Sequence, residues 1–249
     1  MAWQTPKTNW TSADGVSNTD FNRIEENILE LYRRATEATD VTIYVNPNGS
    51  DVTGSGTSAA PFRTISHAVS MAQKTTNANR IVIRLASGTY DEAVVISGFN
   101  DTSVLITGSY NSDASLRSLT VNNSVVKVDV IRLSFTAGGI TADNGSAVLI
   151  SGRTVVSGSE RGIYAIRGST VSINSTFEVS NATTAMIHAA QASTVYVVQL
   201  HSSTASGGLN AVAIISEQGS TVSYGTYTAN ASVDFTTRTG GRIYTGSQV

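Results

Sequence analysis

Cysteine is absent from this chain of 249 residues. Disulfides and thiolate metal sites are therefore excluded, and any stapling must come from packing or self-assembly. Proline is scarce, at 3 residues, and only 14% of residues are charged, well below the average for globular domains. A formal net charge of −2 offers no electrostatic footprint for nucleic acid or an anionic membrane. No apolar run approaches the length that spans a bilayer, so membrane insertion is not expected. The start, Met1 to Lys7, has neither the basic n-region nor the apolar h-region of a secretion signal. A soluble protein made in a cytoplasm is the expectation.

What is present points to β-structure. Hydrophobic residues make up 40% of the chain, many of them β-branched, and there are 21 glycines among abundant Ser and Thr. A short motif recurs: Gly145-Ser146-Ala147-Val148-Leu149-Ile150, Gly168-Ser169-Thr170-Val171-Ser172-Ile173, Ala192-Ser193-Thr194-Val195-Tyr196-Val197 and Gly219-Ser220-Thr221-Val222-Ser223-Tyr224. Aligned on its second residue, Thr102, Ser124, Ser146, Ser169, Ser193, Ser220 and Gly241 follow at about 22, 22, 23, 24, 27 and 21 residues. A turn residue followed by an alternating strand at a near-constant step predicts a solenoid. Most repeats also contain a second strand, such as Val130 to Phe135 or Ile163 to Ile166, a density that predicts a right-handed parallel β-helix.

Four regions follow from the text of the chain. Residues 1–18 are polar and irregular but hold two tryptophans, Trp3 and Trp10. Residues 19–37 predict a helix capped at Thr19-Asp20, with Phe21, Ile24, Ile28, Leu31 and Ala35 at a spacing of about 3.5. Ile at both core positions of such a heptad favours three strands over two, although packing on its own domain is an equally simple reading of the helix by itself. Residues 41–100 predict the lead-in and cap of the solenoid, with a helical stretch at Ser66 to Gln73, and residues 101–249 predict its coils.

Two resemblances attach to these residues. Tyr44-Val45-Asn46-Pro47-Asn48-Gly49-Ser50-Asp51, Gly54-Ser55-Gly56-Thr57, Pro61-Phe62-Arg63-Thr64-Ile65-Ser66-His67-Ala68-Val69 and Ile83-Arg84-Leu85-Ala86-Ser87-Gly88-Thr89-Tyr90 resemble the first part of pectate-lyase-like β-helices. That superfamily includes polysaccharide lyases and hydrolases, phage tailspikes and structural appendages, so the resemblance implies fold more than function. The start, with Trp3, Thr5 to Thr11, Asp14 and Asp20 to Ile28, is similar to N-termini of tail and baseplate appendages of phages infecting Gram-positive bacteria. Together the resemblances imply a homotrimeric tail fibre, tailspike or receptor-binding protein. It would be assembled in the bacterial cytoplasm, attached to tail or baseplate proteins of the virion through Trp3 and Trp10, and trimerised through Phe21, Ile24, Ile28 and Leu31. The β-helix would face a host cell-surface glycan or protein. A polysaccharide-cleaving tailspike and a non-binding spacer that carries another receptor-binding chain are the alternatives.

Candidate chemistry in the coils is thin. Hydrolysis needs two carboxyls flanking one bond, and a lyase needs clustered acids plus a base. The acids beyond the first coil are scattered, and Asp129, Asp143 and Glu160 are the weak candidates, with a solvated structural role as the simpler expectation. Asp91-Glu92 is expected to bond turn amides. His67, His188 and His201 are too far apart for metal-ligand spacing, and the glycines at 49, 54 and 56 lack the Lys-Ser/Thr of a phosphate loop, so they read as flexible turn. No metal and no cofactor is expected. Tyr164, Tyr196, Tyr224, Tyr227 and Tyr244 lie in or beside the repeated strands. Tyr164, Tyr196 and Tyr224 are candidates for a surface that stacks on sugars or docks a protein, with contacts between protomers as the competing use.

Overall fold

The computed structural model describes residues 11, 15, 17–36, 39–75, 78–99, 102–108, 113–130, 132–202, 213–229 and 234–245. Within them the chain is almost wholly β, with two helices, α1 (Asn18–Thr36) and α2 (Ile65–Gln73). Every strand pairing among the described residues is parallel, and each strand pairs with strands one coil before and after it. This is a parallel β-solenoid, the all-β class that the repeat spacing predicts.

Each coil has three faces rather than the two strands visible in the sequence. Face A runs through Thr39–Val45, Ala78–Leu85, Ser103–Gly108, Val125–Asp129 and Ala147–Ile150. Face B begins Gly88–Thr89, Asp113–Leu116, Arg132–Phe135 and Arg153–Ser157. In later coils the corner between them is a bend inside one long strand, so Thr170–Ser180, Thr194–Ser202 and Thr221–Ala229 serve both faces, and Arg242–Thr245 closes face A. Face C stacks Ala93–Ser97, Ser118–Asn122, Ile140–Asp143, Arg161–Ala165, Ala185–Ala189, Ala213–Glu217 and Asp234–Arg238.

Alternation along each strand sends every second side chain inward. On face A the inward positions stack as Val104, Val126, Val148, Val171, Val195 and Val222, and beside them Ile83, Ile106, Val128, Ile150, Ile173 and Val197. All of these are buried. β-Branched side chains with one preferred rotamer fill such columns well, which is why the chain is rich in Val and Ile.

The corner from face C to face A holds the recurring serine. Ser124, Ser146, Ser169, Ser193 and Ser220 are all buried. The amide of Ser124 donates to Oγ of Ser146 at 3.4 Å, that of Ser146 to Ser169 at 3.1 Å, that of Ser169 to Ser193 at 3.1 Å and that of Ser193 to Ser220 at 3.0 Å. At the top of the ladder Oγ of Ser124 accepts from the amide of Phe99 at 3.2 Å. A buried amide at a corner has left the strand ladder, and the hydroxyl of the next coil satisfies it.

The residues before each serine make the corner sharp enough. Asn144-Gly145, Arg167-Gly168 and Gln218-Gly219 take two successive positive φ angles, 52° and 70°, 50° and 74°, and 55° and 75°. Gln191-Ala192 takes the same turn at 56° and 60°, with alanine where the others have glycine. An L side chain in this region costs roughly 1–2 kcal/mol, so Ala192 is a strained copy of the corner.

The lead-in is built from long-range side-chain bonds. Asp51 accepts from the amides of Arg63 at 2.8 Å and Thr64 at 3.0 Å and from the Thr64 hydroxyl at 2.8 Å. Burial works against the Asp51 charge, but these donors outweigh it and hold the carboxyl below its ordinary pKa. Glu92 bonds amides, as expected of an acidic turn. They are the first amides of α2, Ile65 at 2.7 Å and Ser66 at 2.9 Å, rather than those of its own turn. The turn glycines are packed rather than flexible: a Cβ on Gly49 would stand 2.5 Å from the Pro61 carbonyl, and one on Gly54 2.1 Å from that of Ser50.

At the other helix, Ser17 rather than Thr19-Asp20 forms the cap. Its Oγ accepts the amide of Asp20 at 3.3 Å, and the Asp20 carboxylate accepts the Ser17 amide at 3.0 Å, a reciprocal capping box.

Two stability outcomes follow. Ser193→Ala removes the acceptor of the buried Ser169 amide and is expected to lower unfolding free energy by about 1–3 kcal/mol. Ala192→Gly relieves the strained corner and is expected to raise it by up to about 1 kcal/mol. Denaturant unfolding of both variants beside the unaltered chain reads the opposite signs.

Candidate functional site

The core is filled by apolar side chains, and the outward columns of the three faces carry varied polar and aromatic groups. Face C carries the densest group. Its outward column runs Val95, Thr120, Thr141, Tyr164, His188, Ile215 and Thr236 in register. Tyr164 follows the inward Ile163 and so points out, half-buried among its neighbours. The ring of His188, one coil on, lies 5.1 Å from the Tyr164 ring, and the Arg161 guanidinium stands 4.6 Å from the same ring centroid. His188 Nε2 is 3.1 Å from Glu217 Oε1, and Arg161 is 2.8 Å from Glu160. The patch therefore offers an aromatic ring braced by a cation and an imidazole, edged by carboxylates.

The three acids singled out in the sequence do not form a reacting pair. Asp143, at the end of a face C strand, is buried and accepts Arg167 Nε at 2.6 Å, with a second contact from Arg167 Nη2 to its other oxygen. It also accepts the amide of Asn144 at 2.7 Å. These bonds hold the Asp143 carboxylate in place, and the same hydrogen bonding raises the pKa of Arg167. Glu160 lies in the turn before Arg161–Ala165 and pairs with Arg161. Asp129 ends a face A strand, 4.0 Å from Lys127. Each acid thus has its own cation, and each occupies a different station around the coil. Glu178 likewise pairs with Arg153 on face B. These carboxylates are thus paired with cations rather than with one another.

The tyrosine candidates divide. Tyr164 belongs to the face C patch. Tyr196 is exposed at 42% between the inward Val195 and Val197 of face A. Tyr224 is only 3% exposed, because it shares the inward parity of Val222 and stacks on Phe235 with centroids 6.0 Å apart. It is therefore a core residue, which corrects its expected place on the surface. Burial also raises its pKa. Tyr244, at 50%, is the outward aromatic of the last coil. His188 is the residue whose role the sequence reading missed; its position one coil after Tyr164 was the available signal.

On α1, Phe21, Ile24, Ile28 and Leu31 are 57%, 45%, 60% and 53% exposed, whereas Asn27 and Glu30 are buried. The apolar stripe thus lies bare while part of the polar face is covered. Trp3 and Trp10 lie outside the described residues. Among the described residues no group of three or more metal-ligating side chains converges, and no helix is long and apolar enough to cross a membrane.

A family model described as "Protein of unknown function (DUF1565)" matches residues 47–244, most of the chain. No curated protein and no solved structure matches it.

If Asp143 and Arg167 are one bonded unit, Asp143→Asn and Arg167→Gln should each lower the melting temperature. Their combination should lower it by less than the sum, a non-additivity that shrinks as salt rises.

Proposed function

This chain belongs to the DUF1565 family, and we propose that it works as a self-assembling appendage, a homotrimer joined at α1 that presents its solenoid as a recognition surface. The observation that carries this reading is the bare heptad stripe of α1. Four large apolar residues at 3.5-residue spacing stand 45–60% exposed, and α1 has no substantial packing against any described strand or against α2. Covering the half of each side chain that remains in water would recover roughly 1 kcal/mol per residue, which a coiled coil of copies supplies. Two heptads are marginal alone, so the solenoid must add to the association.

The setting we propose is a phage or phage-derived tail or baseplate. The N-terminal segment, with Trp3 and Trp10, would attach the trimer to other tail proteins, and the coils would meet a glycan or protein on a Gram-positive cell surface. The similarity of residues 3–28 to tail-appendage N-termini supports this setting. Recognition falls to face C, where Tyr164, Arg161 and His188 combine a stacking ring with hydrogen-bonding groups, the pairing that sugars and polar peptides require. The carboxylates held in separate ion pairs favour adhesion over polysaccharide cleavage.

Light scattering of the full chain should give three times 26.0 kDa. Ile24→Glu with Ile28→Glu should give single protomers that keep their β circular dichroism. A monomeric unaltered chain would remove the trimer. In pull-down by Gram-positive cell walls, Tyr164→Ala with His188→Ala should lose retention while remaining trimeric; unchanged retention would take recognition away from face C.

A further inference from the structure

The outward column of face A differs in kind from those of faces B and C. In register it reads Val82, Leu105, Lys127, Leu149, Ser172, Tyr196, Ser223 and Tyr244. Five of these eight are aliphatic or aromatic. The neighbouring row adds Val125, half exposed, and Ala147. Leu105, Val125, Ala147 and Leu149, with the stem of Lys127, line a shallow groove of ≈ 330 Å³ on this face. By contrast, face B shows Ser115, Ser134, Val155, Glu178 and His201 outward, and face C is ion-paired around Tyr164. Outward apolar side chains alternate with small or flexible polar ones along this central column, while charge sits beside it, on Arg80 with Asp40, on Arg84 and on Asp129. Its charged member, Lys127, has Asp129 4.0 Å away and a long stem that lets its ammonium reach the edge.

Connectivity says what covers it. α1 ends at Thr36, and the first strand of face A begins at Thr39. A link of two residues reaches no more than about 10 Å. If α1 is held in a bundle with its copies, the first face A strand of every copy is held beside the end of that bundle. Face A is therefore the sheet that starts nearest the assembly axis, and its outward column is apolar at Leu105, Leu149, Tyr196 and Tyr244, the first two partly and the tyrosines about half exposed, while Val82 is already buried.

We infer that face A is the contact between copies of this chain, with Leu105 and Leu149 turned towards the axis and Tyr196 and Tyr244 continuing the contact in the later coils. This rests on the self-association proposed for α1 and goes beyond it, because α1 alone would leave the solenoids free to splay. It also frees faces B and C for external partners and takes Tyr196 out of the recognition surface.

The absence of cysteine makes the test clean. Leu149→Cys on face A and Thr141→Cys on face C are prepared separately in the full chain, and each sample is sized by light scattering before treatment with a short bis-maleimide. The inference expects trimeric samples in which Cys at 149 gives a covalent dimer on a denaturing gel and Cys at 141 stays a single chain. A trimeric sample without cross-linking at 149, or with equal cross-linking at 141, overturns the face A contact and leaves the α1 trimer standing. A single-protomer mass for both variants and for the unaltered chain overturns both.

Discussion

The buried serine ladder is the constraint on which the rest of the structure depends. A solenoid must turn the same corner once per coil, and every corner pulls an amide out of the strand ladder into a dry core. Placing a hydroxyl at that point in each successive coil satisfies the amide of the coil before, from Phe99 through Ser124, Ser146, Ser169 and Ser193 to Ser220. Each bond contributes only about 1 kcal/mol net, but an unmade one costs more, so the ladder acts as a register lock. A slip of one residue would reverse which side chains face the core.

With register locked, coil-to-coil spacing on every face is about 4.8 Å, and outward side chains become columns. Function then depends on the composition of a column rather than on a pocket. Face C joins Tyr164 to His188 and Glu217 across three coils. Face A stacks aliphatic and aromatic residues in its central outward column, flanked by the Arg80–Asp40 and Lys127–Asp129 pairs. Face B is hydroxyl-rich, with one Arg153–Glu178 pair. One core thus carries three chemically distinct surfaces. In the proposed assembly, face A would turn inward and faces B and C outward.

How much of this was legible in the sequence depended on whether the signal was local. The glycine-serine step marked the corner correctly, since turn and ladder both lie within a few residues. Strand parity was legible as well: Tyr224 follows Val222 by two and must be buried with it, a step that treating the tyrosines as a group overlooked. Faces A and B blurred into one another because the corner between them is a bend within Thr170–Ser180 and its successors. Contacts between distant segments were out of reach. Glu92 bonding the first amides of α2 spans 27 and 26 residues and joins the coil to a helix outside the repeat, whereas Arg167 reaching back 24 residues to Asp143 follows the coil step. Nothing near Glu92 encodes its helix partner. Ala192 marks the opposite case, a position where the local rule calls for glycine and the surrounding coils hold the turn in place regardless.

Amide hydrogen exchange resolved to single residues tests the central claim most directly. The ladder account predicts that the amides of Ser124, Ser146, Ser169 and Ser193 exchange as slowly as those of the inward strand positions Val148 and Val171, although they sit at turns. Exchange at the rate of solvent-exposed turns such as Ser58-Ala59 would contradict it, because the corners would then be held by something other than the serines.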